Sequence, residues 1–83
     1  MKKMIAFEAL RELLLNLGFI ETLVPNSHYL FEHPDSGVKF LLRLYRPSDL
    51  VTEGNLYDVR HHLDMANLLE PSAFEDWFRH AAV

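Results

Sequence analysis

Of the five histidines, His28 is the one whose neighbours suggest chemistry. It follows Asn26 and Ser27 and opens a run, Tyr29-Leu30-Phe31, of strand-forming residues. Side chains alternate across a strand, so His28, Leu30 and Glu32 share the face opposite Tyr29 and Phe31. If the aromatics enter the core, the imidazole is left in solvent. On a neighbouring antiparallel strand, Lys39, Leu41 and Arg43 should line that same open face. Imidazole is the side chain whose ordinary titration lies near neutral pH, and set beside cations it suits transesterification of RNA. His28 would take the proton of a 2′-hydroxyl, the freed oxygen would attack the neighbouring phosphorus, and Lys39 or Arg43 would hold the phosphate as its charge grows. One positioned base gives roughly 10²–10⁴-fold in rate, which predicts a slow nuclease.

A second imidazole could serve as general acid, and His33 is the nearest. Five residues along a strand separate the two by about 16 Å, and odd spacing turns them to opposite faces. His33 therefore reads as a turn residue, and water or Tyr45 is left as the acid. The pair His61-His62 with Asp64 is not expected to bind metal, because neighbours on a helix diverge and no ligand set converges. Lys39 and Arg43 also have a plainer reading, as solvated residues that discourage sheet-edge pairing.

These residues need elements to position them. From Ile5 to Leu17, Phe7, Leu10, Leu13, Leu14 and Leu17 recur at helical spacing, and Gly18 supplies the left-handed residue that commonly ends a helix. Phe19 to Val24 predicts a first strand and Pro25-Asn26 a turn. Ser27 to His33 predicts a second strand, stopped by Pro34-Asp35-Ser36-Gly37. In the third, Val38, Phe40, Leu42 and Leu44 alternate with Lys39, Leu41, Arg43 and Tyr45, giving a core face and an open, cationic one. After the loop Arg46-Pro47-Ser48-Asp49, Asn55 and Asp58 have capping-box spacing before the stripe Leu56, Val59, Leu63 and Ala66. Ser72 and Glu75 repeat that spacing behind Pro71, which starts a last helix whose Phe74, Trp77 and Phe78 should close the covered side of the sheet. The expected fold is α+β: α-β-β-β-α with a three-stranded antiparallel sheet, helices on one face and a short extra C-terminal helix. Residues 1–83 should form one domain, with 69–83 as a helical extension.

Composition narrows the classes. An 83-residue chain that is 49% hydrophobic and 24% charged has apolar matter for one core. No apolar run approaches the roughly 18–20 residues of a membrane span, and Met1-Lys2-Lys3 leads straight into an amphipathic stretch, so neither anchor nor secretory leader is expected. The chain has no cysteine, which removes disulfides and thiolate sites and fits a cytoplasmic setting. A net charge of -4 counts against a general nucleic-acid binder, so any RNA contact must rest on a local patch.

The order Leu17-Gly18-Phe19, Asn26-Ser27-His28, Phe31, His33-Pro34-Asp35 and Gly37 resembles the HicA family of toxin–antitoxin ribonucleases. In these small domains, built like double-stranded-RNA-binding domains, a helix ends in Gly-Phe and is followed by a Gly-Ser/Thr-His strand and a His-Pro-Asp-Gly-like turn. The likeness runs from about Phe7 to Leu63, with Leu56, Val59, Arg60 and Leu63 suiting the second helix. It implies that His28 is catalytic; with it, Asn26, Ser27, Lys39 and Arg43 are the residues expected to contact RNA. It further implies an mRNA interferase acting in stress response without metal or cofactor, held off by a HicB-type antitoxin. Asn26 stands where the family has a small glycine, the chain continues past Glu70, and the charge is acidic where RNA-cleaving members tend to be basic. Those departures favour a second class, a non-catalytic binding module for a protein partner or RNA. The retained Ser27-His28 favours the enzyme.

Overall fold

The computed structural model describes residues 4–82; Met1-Lys2-Lys3, from which the lack of a leader is expected, and Val83 lie outside the described residues. The fold is α+β, with the order α1 (Phe7–Asn16), β1 (Ile20–Val24), β2 (His28–Glu32), β3 (Lys39–Arg43), α2 (Glu53–Met65) and α3 (Pro71–Ala81). The strands form one antiparallel sheet in the order β1-β2-β3, so β2 is central.

Helix α1 buries Phe7, Leu10 and Leu14, residues three and four apart that face one way. Its N-cap is Ala6, which offers no side-chain acceptor, and the loop after β3 serves instead. The Phe7 and Glu8 amides donate to the carbonyls of Asp49 and Pro47 at 2.8 and 2.9 Å, satisfying donors that a helix start leaves open. At the other end the Gly18 amide donates to Leu15 and the Phe19 amide to Leu14 (3.1 and 3.0 Å), a Schellman closure with Gly18 at φ +99°.

Gly18 is held for a second reason. A Cβ there would lie 3.3 Å from Nε2 of His33, a ring only 8% exposed. That nitrogen is 3.0 Å from the Leu17 carbonyl, while Nδ1 accepts from the Ser36 amide at 3.2 Å. Because Nδ1 is an acceptor, Nε2–H is the donor to Leu17. His33 thus fastens the end of α1 to the β2-β3 turn, a more specific role than the turn residue expected from sequence. Gly18→Ala combines an unfavourable φ with crowding against this ring and is expected to lower stability by about 1–2 kcal/mol. A urea titration monitored at Trp77 checks this; an unchanged midpoint would mean the closure tolerates a side chain.

One side of the sheet carries the core. Phe31 and Leu42 are fully or almost fully buried, Phe31 lies opposite Phe40 in register, and Phe7 of α1 meets Tyr29 of β2 at 5.0 Å between ring centroids. From α2, His62 stacks on Phe40 at 5.3 Å. Helix α3 packs chiefly on α2, with Phe74 buried and Trp77 against it, rather than closing the sheet directly. The covered face of the sheet already meets α1 through Phe7 and α2 through His62.

Three local expectations are corrected. Helix α2 is capped by Thr52, whose hydroxyl accepts from the Asn55 amide at 3.3 Å, so Asn55 lies inside the first turn. Helix α3 starts after Glu70 with Pro71 at its first position, as expected, but without a capping box: Ser72 donates to Glu70 and Glu75 pairs with Arg60. The third strand ends at Arg43, two residues early, and the chain turns. Leu44 is therefore exposed, and Tyr45 is buried against Phe7 at 5.2 Å instead of facing solvent.

No described helix is long and apolar enough to cross a membrane.

Candidate nucleic-acid interface

The site begins with a turn. The Ser27 amide donates to the Val24 carbonyl at 3.1 Å, closing a four-residue turn with Pro25 second and Asn26 third. Proline fixes a negative φ at the second position, and Asn26 has φ +59°, the combination of a type II turn. Asparagine tolerates the left-handed region better than most residues, so it fills a position that otherwise suits glycine. The turn delivers Ser27 and His28 to the head of the central strand.

His28 pairs in register with Val24 on β1 and Arg43 on β3. Side chains directly opposite in an antiparallel pair point the same way, with Cα atoms about 4.5–5.5 Å apart. The imidazole therefore lies on the uncovered face, partly exposed, across from an exposed arginine. The Ser27 hydroxyl lies 2.6 Å from His28 Nδ1, which leaves Nε2 as the nitrogen without a partner in the ring. The guanidinium of Arg43 rests over the Tyr45 ring, 5.2 Å from its centroid, a contact that restrains an otherwise long and free side chain.

Asn26, Ser27, His28 and Arg43 thus come together at one end of the sheet. Lys39 does not. It faces Glu32, four residues further along β3, or about 13 Å from Arg43 along the strand. Of the two cations expected beside the histidine, Arg43 is the one in place, and Lys39 could reach only a different part of a long polymer.

The open face is also less cationic than expected. Between the His28/Arg43 end and the Glu32/Lys39 end lie Thr22, Leu30 and Leu41, with Ile20 beside Glu32, and Ile20 and Leu41 remain 56% and 59% exposed. Alternation alone assigns faces, not the chemical character of each face.

Neither second proton carrier reaches His28. His33 is buried on the far side of β2 with both ring nitrogens engaged. The Tyr45 hydroxyl accepts from the Thr52 amide at 3.2 Å and from the Asn55 side-chain amide at 2.5 Å, so it belongs to the start of α2 and is withdrawn from the role of acid. Among the described residues no group of three or more His, Cys, Asp or Glu could hold a metal ion; His61 is exposed while His62 lies against Phe40.

A cavity of about 660 Å³ lies elsewhere, between α2 and α3, walled by Val51, Leu56, Phe74 and Phe78. His28 instead occupies an open surface, where an extended polymer can lie across it.

No protein-family model, curated protein or solved structure matches this chain.

Proposed function

We propose that this chain is a HicA-like endoribonuclease that cleaves messenger RNA without metal or cofactor, using His28 as general base. The observation that carries the reading is the imidazole at the head of the central strand, on the uncovered face, opposite Arg43 and bonded to Ser27 at only one nitrogen.

The chemistry follows from that placement. His28 takes the proton from a 2′-hydroxyl; the oxygen forms a bond to the adjacent phosphorus as the bond from phosphorus to the 5′-oxygen breaks. The leaving oxygen takes a proton from water. The products are a 2′,3′-cyclic phosphate and a 5′-hydroxyl. Arg43 pairs with the non-bridging oxygens, where charge accumulates, and its planar guanidinium can donate two parallel hydrogen bonds. With His33 and Tyr45 both engaged elsewhere, the leaving group departs slowly, which suits a toxin better than a digestive enzyme.

RNA binding rests on few positive charges, and the exposed Ile20 and Leu41 are poor RNA contacts. Those side chains support a protein partner for this face, a HicB-type antitoxin that covers the site in the cytoplasm. The same apolar stretch favours the second reading, a module that only binds a protein.

Incubating the purified chain with RNA in EDTA separates the two. We expect continued cutting and fragments ending in 2′,3′-cyclic phosphate. Cutting abolished by EDTA would overturn the metal-free mechanism, and no cutting with or without divalent cations would leave the binding module.

A further inference from the structure

The contact between Ser27 and His28 bears on which nitrogen acts and in which proton state. We infer that Ser27 is a positioning residue: its hydroxyl accepts the Nδ1–H of His28 and so fixes the tautomer in which Nε2 carries the lone pair. The inference rests on the proposed nuclease reading: the geometry places hydroxyl and ring in contact, and the proton-abstraction role selects the tautomer.

Two arrangements fit an oxygen 2.6 Å from Nδ1. If the serine donates, Nδ1 is the acceptor and Nε2 bears the proton; the exposed nitrogen is then an acid. If Nδ1–H donates to serine, Nε2 is bare and the exposed nitrogen is a base. In a proton-abstraction step only the second works without rearrangement. Nε2 gains a proton, Nδ1 keeps the one it has, and the bond to Ser27 persists and strengthens as the ring becomes cationic. The first arrangement would need the ring to exchange its proton from Nε2 to Nδ1, and the hydroxyl to turn from donor to acceptor, before Nε2 could act as a base.

Ser27 is suited to this task by its backbone. Its amide is tied to the Val24 carbonyl at 3.1 Å, and the preceding Pro25-Asn26 turn has one residue with a fixed φ and one in the left-handed region. The hydroxyl is therefore presented from a defined position, not from a loop that must first be ordered. From sequence Ser27 is expected to contact RNA; here it acts through the imidazole instead. Sequence offered a signal for this, a serine directly before the histidine, but adjacent residues on a strand point to opposite faces. Only the turn geometry, which takes Ser27 out of the strand, lets the two side chains meet.

The test pairs ring ¹⁵N NMR of His28 with kinetics for the wild type, Ser27→Ala and Ser27→Thr. We expect the neutral ring to be the Nδ1–H tautomer in the wild type and in Ser27→Thr, and to lose that preference in Ser27→Ala. We also expect kcat to fall on the order of 10-fold in Ser27→Ala with KM little changed, as when an orienting partner of a histidine is removed, and to be restored by threonine. A wild-type ring protonated at Nε2, or a Ser27→Ala ring and rate equal to the wild type, would overturn the assignment. A wild type that cuts no RNA sinks the nuclease reading, while the NMR comparison still decides the tautomer.

Discussion

Replacing His28 by alanine should reduce RNA cleavage by about 10²–10⁴-fold while leaving the fold intact. The rate loss follows from removing the one imidazole on the open face, because neither His33 nor Tyr45 can take over: the first is buried on the opposite side of the strand, and the second is bonded into the start of α2. Stability should hardly move, since His28 is partly exposed and its one side-chain bond is to an exposed serine. The same pair tests the toxin reading in cells. Expression of the wild type should arrest bacterial growth and expression of His28→Ala should not; two equally harmless chains would leave the binding module as the better account. Circular dichroism of both proteins separates lost chemistry from lost structure.

Three residues along the same strand the expected effect is reversed in kind. Phe31→Ala should cost about 3–5 kcal/mol, a large fraction of the roughly 5–15 kcal/mol that holds a domain together. Phe31 has no exposed surface, and its ring lies 5.9 Å from Phe40 and 6.3 Å from Tyr29, so truncation opens a hole among aromatic rings that cannot close over it. A chemical-denaturation curve measures the loss. A cost under about 1 kcal/mol would mean that this position is not central to packing, contrary to its burial. The two substitutions together assign one face of β2 to chemistry and the other to stability.

That division was legible in the sequence, because period-two alternation in Tyr29 to Glu32 and Val38 to Arg43 needs nothing beyond the pleat of a strand. So were the order of elements, the Gly18 stop and the Pro25-Asn26 turn, each set by local backbone preference. What depended on distant partners was not. Tyr45 continues the alternation on paper, yet Thr52 and Asn55 offer its hydroxyl partners and Phe7 offers its ring a stack, and together these draw the chain out of the sheet. Thr52 and Asn55 are both good caps three residues apart, and sequence cannot choose between them until the helix is seen to begin at Glu53. Lys39 and Arg43 share a face in any reading, but only the register shows that Arg43 is opposite His28 and Lys39 opposite Glu32. Leu30 and Leu41, in the middle of the open face, were placed there by the alternation, but Lys39 and Arg43 on either side of Leu41 made that face read as cationic, and Ile20 beside Glu32 was given no face.

The fastening made by His33 restrains the two ends of β2 unequally. Beyond Glu32 the chain is clamped through one ring to both a helix terminus and a turn, whereas ahead of His28 it is tied by a single main-chain bond across Pro25 and Asn26. Displacing the His33 ring should therefore loosen the helix terminus and the turn together, while the head of the strand keeps its own closure across Pro25 and Asn26.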